Sequence, residues 1–159
     1  MDVTTRTGQS TGMSANLPPG TAALCGADTE DTNVTKKKIG VLGAGTWGMA
    51  LARMLCVSGN EVQVWSALPA EVDSLSAARV HPNLPGMKIP AELQFTKSIE
   101  EVCTGKDVLL FAVPSVFVRS TTAKARPYIP DGQILVDVAK GMEPDTLYTV
   151  SYTHLTLPT

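Results

Sequence analysis

The sequence predicts an α/β protein with a doubly wound, mostly parallel sheet. Three observations carry that expectation. Five short runs rich in Val, Ile and Leu recur along the middle of the chain. Segments with apolar residues three or four apart separate them, so successive strands are joined by helical crossovers and run parallel. Three glycines, Gly43, Gly45 and Gly48, stand where the first strand gives way to the first helix.

The elements follow in order. Lys38 to Gly43 (KIGVLG) is a short β-branched run closed by glycine, a buried strand. Thr46 to Ser58 carries Trp47, Ala50, Leu51, Met54, Leu55 and Val57 near helical spacing, and Gly59-Asn60 ends it. Glu61 to Trp65 (EVQVW) is the second strand. Pro69 to Arg79 is a helix that starts on proline and places Val72, Leu75 and Ala78 three apart. His81 to Pro90 holds three prolines and a glycine and is an irregular loop. Leu93 to Thr96 is a short third strand. Ser98 to Cys103 is a brief helix with Ser98 and Glu101 spaced as a capping box. Asp107 to Val113 (DVLLFAV) is nearly all apolar, as a parallel strand covered on both faces requires. Pro114 to Tyr128 is a helix, and Gln133 to Ala139 (QILVDVA) is a fifth, buried strand.

The two ends differ from this middle. Of residues 1–35, 18 are Thr, Ser, Gly, Pro or Asn, with no period. Such a segment buries too little apolar surface to offset its ordering entropy. It is expected to be a disordered extension or the product of a wrongly chosen start, with Met13 an internal alternative. Val150 to Thr159 (VSYTHLTLPT) resembles the frame-translated end of a transposase adapter used in DNA library preparation. Native sequence is then expected to stop near Thr149, leaving His154 without meaning; a threonine-rich loop is the alternative. The domain is therefore placed at residues 36–149.

Composition narrows the function classes. The 159 residues carry 13 basic and 15 acidic side chains, a net charge of −2, and so no basic footprint for nucleic acid. At 43% hydrophobic the chain can fill a core, yet no run of about 18 apolar residues predicts a membrane span. No secretory signal opens the chain. Cys25, Cys56 and Cys103 read as reduced thiols of a cytoplasmic protein, and Cys56 and Cys103 fall on helix faces as small core residues. No Cys/His spacing suggests a metal, and no serine elbow suggests a nucleophile.

The glycine trio is the chemical signal. A GxGxxG pattern between strand and helix is the context in which it means dinucleotide binding. Gly43 permits the tight turn, Gly45 lets a pyrophosphate approach backbone amides, and Gly48 lets helix and strand pack closely. Thr46 and Trp47 stand among the first helical residues, where free N–H groups and the positive dipole end meet an anion. The expectation is a Rossmann-type domain using NAD or NADP. An acid for the ribose hydroxyls, normally about 20 residues after the loop, is missing at Trp65, Ser66 and Ala67. Ser66 could bond a ribose hydroxyl or a 2′-phosphate, and the missing acid tips the balance mildly toward NADP. Lys140 follows the fifth strand directly, with Gly141 beside it, where ligands of open parallel sheets bind. It suits a phosphate or carboxylate substrate, against the bland alternative of a surface lysine in a turn. His81 is either a wall of that cleft or, more simply, a solvated loop residue.

GAGTWGMALA (Gly43 to Ala52), NLPGMKIP (Asn83 to Pro90), FAVPSVFVR (Phe111 to Arg119) and VDVAKGME (Val136 to Glu143) occur in one order and spacing. Together they resemble the N-terminal domain of bacterial NAD(P)-dependent glycerol-3-phosphate dehydrogenases over Lys38 to Thr149. The resemblance implies reversible hydride transfer between NAD(P)H and dihydroxyacetone phosphate, giving sn-glycerol 3-phosphate for phospholipid synthesis. By position it implies that Thr46 and Trp47 contact cofactor and that Lys140 contacts cofactor and substrate. A basic residue common in the family two positions after the strand-two tryptophan is Ala67 here, which leaves NAD versus NADP open. The general acid/base lysine is expected beyond residue 149, with the C-terminal helical domain missing, so no catalytic residue falls in this chain. An apolar face is accordingly expected to be exposed, and a homodimer of the complete enzyme stays open. The alternatives are a ketopantoate-type or 6-phosphogluconate-dehydrogenase-like enzyme, or a non-catalytic dinucleotide-binding module.

Overall fold

The structure is a computed structural model that describes residues 35–142 and Thr149. The expectations for residues 1–34, including Met13 and Cys25, and for residues 150–159, including His154, lie outside the described residues. Five parallel strands form one sheet in the order β3-β2-β1-β4-β5. They are β1 (Lys38–Leu42), β2 (Glu61–Trp65), β3 (Gln94–Thr96), β4 (Val108–Phe111) and β5 (Ile134–Asp137), joined by helices α1 (Thr46–Val57), α2 (Pro69–Ala78), α3 (Ile99–Cys103) and α4 (Ser115–Ala125). The chain builds outward from β1 on one side, then returns to add β4 and β5 on the other. The order reverses between β1 and β4, and there the carboxyl ends of the strands open a crevice.

Side chains alternate between the two faces of each strand. Ile39, Val41, Val62, Val64 and Leu110 pack with Met49, Ala52 and Cys56 of α1 and Leu75 of α2. Leu42, Trp65, Leu109 and Phe111 point the other way, onto Val102 and Cys103 of α3 and Ala125 of α4. Both faces are thus covered by helices, the doubly wound arrangement. Each fully buried Leu, Val or Phe contributes about 1.5–3 kcal/mol, so the two apolar layers supply the main drive for folding. Cys56 and Cys103 are free and buried within these layers. Burial pushes the Cys103 thiol up to about 11, which keeps it protonated and unreactive.

Several boundaries differ from expectation for identifiable reasons. The fourth helix stops at Ala125 and tightens into a 3₁₀ turn over Arg126–Tyr128, because Pro127 has no N–H to continue the α ladder. The capping box is half formed. Ser98 Oγ accepts the Glu101 N–H at 3.3 Å, but the Glu101 carboxylate turns toward the sheet and takes hydrogen bonds from Thr96 and Gln63 instead. The fifth strand is not buried. As the edge of the sheet it leaves Ile134, Leu135 and Val136 at 59%, 41% and 39% exposure, which is the exposed apolar face expected of this chain.

Two close contacts set the spacing of layers. A Cβ on Gly40 would fall 2.1 Å from the Val102 carbonyl oxygen, so α3 lies against bare backbone of β1. Beside it, buried Gln63 is satisfied at both ends. Its Nε2 donates to Glu101 at 2.7 Å and its Oε1 accepts from Lys106 Nζ at 2.7 Å. Hydrogen bonds from Thr96 and then Gln63 hold the Glu101 carboxyl below its ordinary value of 4.5.

Gly40→Ala should therefore destabilise the fold by about 1–3 kcal/mol, the usual cost of overpacking, seen as a lower urea midpoint. Because the folded form depresses the Glu101 pKa, its contribution is full above pH 4.5 and drains away as pH falls through the lower folded value. Denaturant midpoints followed from neutral pH downward should fall less steeply in Glu101→Gln than in the wild-type chain. Parallel curves would mean that the carboxylate adds nothing.

Candidate functional site

The turn from β1 to α1 is built by backbone crowding. Gly43 has φ +119°, and a Cβ there would stand 2.7 Å from the Ala112 carbonyl oxygen. A Cβ on Gly48 would lie 2.2 Å from the Gly43 carbonyl oxygen. Gly45 is different: a Cβ there would meet nothing within 4 Å, so its outer side faces open space. Gly45 is also the N-cap of α1 and no side chain caps the helix. The amides of the first turn have no acceptor within the helix and point, with the positive dipole end, at that space. Free amides and a positive dipole end that face open space are what a helix start offers to an anion.

The crevice continues to both sides of the turn. One lobe, about 600 Å³, runs to the end of β2 and is walled by Trp65, Ser66, Ala67, Glu71, Phe117 and Lys124. The other, about 390 Å³, runs toward the end of β5 and is lined by Thr46, Trp47, Val138, Ala139 and Lys140. Gly45, Ala112, Val113 and Pro114 border both lobes. The structure thus gathers Gly43, Gly45, Thr46, Trp47, Ser66 and Lys140 around one crevice, with Gly48 beneath it. Trp47 is 57% exposed, an indole held at the mouth rather than in the core. Gly141, at φ +113°, turns the chain directly after Lys140, where a Cβ would stand 3.6 Å from Ser115 Oγ.

Two expectations are corrected here. His81 is neither solvated nor among the residues bordering the two lobes. It is 3% exposed, its Nδ1 accepts the Asn83 N–H at 3.2 Å, and its carbonyl accepts from Leu84, so it pins its own loop. That loop is further fastened by Arg79, whose guanidinium donates to the carbonyls of Pro90 and Leu93 and stacks over Phe95. The end of β2 also does not lack an acid. Ser66 Oγ donates to Glu71 Oε2 and accepts the Leu68 N–H at 3.1 Å, so a carboxylate stands in the first lobe. The premise that tipped the balance toward NADP is gone. Glu71 escaped a search confined to the strand end because it comes from the first turn of α2. Helical side chains lean toward the N-terminus of their helix, and the Pro69 start was the available clue.

Among the described residues no group of three or more His, Cys, Asp or Glu is placed to hold a metal, and no helix is long and apolar enough to cross a membrane. Residues 38–154 match the family model described as NAD-dependent glycerol-3-phosphate dehydrogenase N-terminus. The chain belongs to that family. It is 70% identical over 114 residues to an NAD(P)-dependent glycerol-3-phosphate dehydrogenase of Lactobacillus delbrueckii, covering 72% of this chain and 34% of that protein. A protein of the same name from Agathobacter rectalis is 45% identical over 115 residues, with the same coverage. The crystal structure of a glycerol-3-phosphate dehydrogenase from Coxiella burnetii superimposes with a TM-score of 0.70 at 28% identity, over 76% of this chain and 37% of that one. The chain spans about one third of the length of the curated relatives it matches. Membership explains the parallel sheet and its glycine turn as the dinucleotide-binding part of a longer design.

The glycine contacts separate a packing role from a site role. Gly48→Ala should cost about 1–3 kcal/mol of stability, whereas Gly45→Ala should cost well under half of that, since its Cβ enters open space. Thermal melts of the two variants measure the difference, and equal losses would remove Gly45 as an open site.

Proposed function

We propose that this chain is the cofactor-binding part of an NAD(P)-dependent glycerol-3-phosphate dehydrogenase. Its reaction is reversible hydride transfer between NAD(P)H and dihydroxyacetone phosphate, giving sn-glycerol 3-phosphate as a precursor of phospholipids. The single observation that carries this reading is the pair of cavities that meet the glycine turn at Gly45, one of which reaches Lys140. Identity of 70% to a relative of that name supports the choice of substrate.

The bound dinucleotide supplies or takes the hydride. The residues of this chain do the holding. Amides at the start of α1, around Gly45 and Thr46, receive the pyrophosphate. Trp47 covers the mouth of the nicotinamide lobe. Lys140, carried on the turn after β5, offers a charge-assisted hydrogen bond to an anionic or carbonyl oxygen of the substrate. Val113, Pro114 and Val138 give that lobe apolar walls. The proton-transfer lysine belongs to sequence beyond residue 149, and general acid–base help is worth typically about 10²–10⁴-fold. The 159-residue chain alone is therefore expected to bind without turning over. The free, buried thiols of Cys56 and Cys103 suit work in the cytoplasm.

The test is an assay of the complete dehydrogenase that carries this domain. Dihydroxyacetone phosphate should drive oxidation of NAD(P)H, and turnover of another carbonyl substrate alone would overturn the assignment. Lys140→Ala should lower kcat/KM by about ten- to a hundredfold, since a hydrogen bond to a charged group is worth about 1.5–3 kcal/mol. Unchanged kinetics would take Lys140 out of the site.

A further inference from the structure

Within the reading just proposed, the lobe at the end of β2 receives the adenosine end of the dinucleotide. We propose that Glu71, anchored by Ser66, makes this site selective for NAD(H) over NADP(H). The two cofactors differ only at the adenosine ribose. NAD(H) presents a vicinal diol with two O–H donors, whereas NADP(H) presents a 2′-phosphate that only accepts hydrogen bonds and carries charge.

The polar groups at this end suit the diol. Ser66 is 7% exposed and its hydroxyl has one proton, which goes to Glu71 Oε2. The lone pairs of the same oxygen take the Leu68 N–H. No donor is left on Ser66 for a phosphate. Glu71 Oε1 accepts no hydrogen bond among the described residues, and Glu71 lines the lobe, which leaves that oxygen to accept from a ribose hydroxyl. A 2′-phosphate placed there would meet a carboxylate rather than a donor, and like charges in a partly enclosed site repel strongly. Ala67, the next residue on that wall, brings neither charge nor donor. The cation on the rim is Lys124, which comes from the far wall on α4 and is exposed to solvent, where its attraction is screened. The anchoring matters as much as the charge. With Oε2 tied to Ser66, turning the carboxylate away to admit a phosphate costs that hydrogen bond.

Equilibrium binding of NADH and of NADPH to the full chain, read by quenching of tryptophan fluorescence, tests this, with 5′-AMP and 2′,5′-ADP as competitors for the adenosine lobe. NADH should bind at least about tenfold more tightly than NADPH, and 5′-AMP should compete better than 2′,5′-ADP. Glu71→Gln keeps a hydrogen-bonding partner for Ser66 but removes the charge, and should narrow the ratio to within about threefold. Adding Ala67→Arg should invert it. Equal binding of both cofactors by the wild-type chain, or an unchanged ratio in Glu71→Gln, overturns the selectivity while leaving dinucleotide binding in place. Binding of neither cofactor overturns the dinucleotide reading and this proposal together. A role for Glu71 in folding alone would move both affinities equally and leave the ratio fixed.

Discussion

The architecture depends on backbone meeting backbone at the centre of the sheet. Gly43 lies against the carbonyl of Ala112, Gly48 against the carbonyl of Gly43, and Gly40 against the carbonyl of Val102. No side chain separates β1 from α1, α3 or the end of β4 at these points. The crevice exists because these layers close so tightly below it that the amides of α1 emerge at the strand ends with nothing above them. Apolar burial supplies most of the free energy, but these contacts set the geometry. A methyl group at Gly48 would push the first turn of α1 off the carbonyl of Gly43.

Much of this was legible in the chain itself. Short apolar, β-branched runs and helical spacing of apolar residues place every strand and helix within a few residues. Turn chemistry at Gly59-Asn60 and Pro69 located their ends. The glycine spacing located the turn, and the position of Lys140 after a strand put it in the crevice. Failures came where a residue's partner is distant in sequence. Glu101 has capping-box spacing, but the buried amide of Gln63 in β2 offers its carboxylate a better partner than its own helix terminus does. His81 stands in a proline-rich loop, yet that loop is pinned by Arg79 and folds over the imidazole. Burial of β5 was read from composition, whereas burial depends on what lies beside a strand.

Glu71 shows the same limit at the site. Strand ends were the right place to look for a ribose partner, but a crevice is walled by every element that starts or stops there. The first turn of α2 begins four residues beyond β2 and leans back over it. A carboxylate supplied by that turn is held by the Ser66 hydroxyl and lines the crevice from outside the sheet. Gly43 and Gly48 of the glycine turn, by contrast, have no room for a Cβ. The glycine turn and the carboxylate of Glu71 thus belong to structurally separate parts of the crevice wall.

The outer edge of β5 has a consequence for how the molecule keeps company. A parallel sheet that ends in Ile-Leu-Val offers a row of main-chain amides and carbonyls beside three uncovered aliphatic side chains. Short aliphatic segments with unpaired main-chain groups are templates on which another extended chain can add itself. Asp137 places a charge at one end of the strand and Gln133 an amide just before the other, with no lysine or proline inside it to blunt the pairing. Among the described residues, β5 is thus the sheet margin that combines unpaired main-chain groups with uncovered aliphatic side chains.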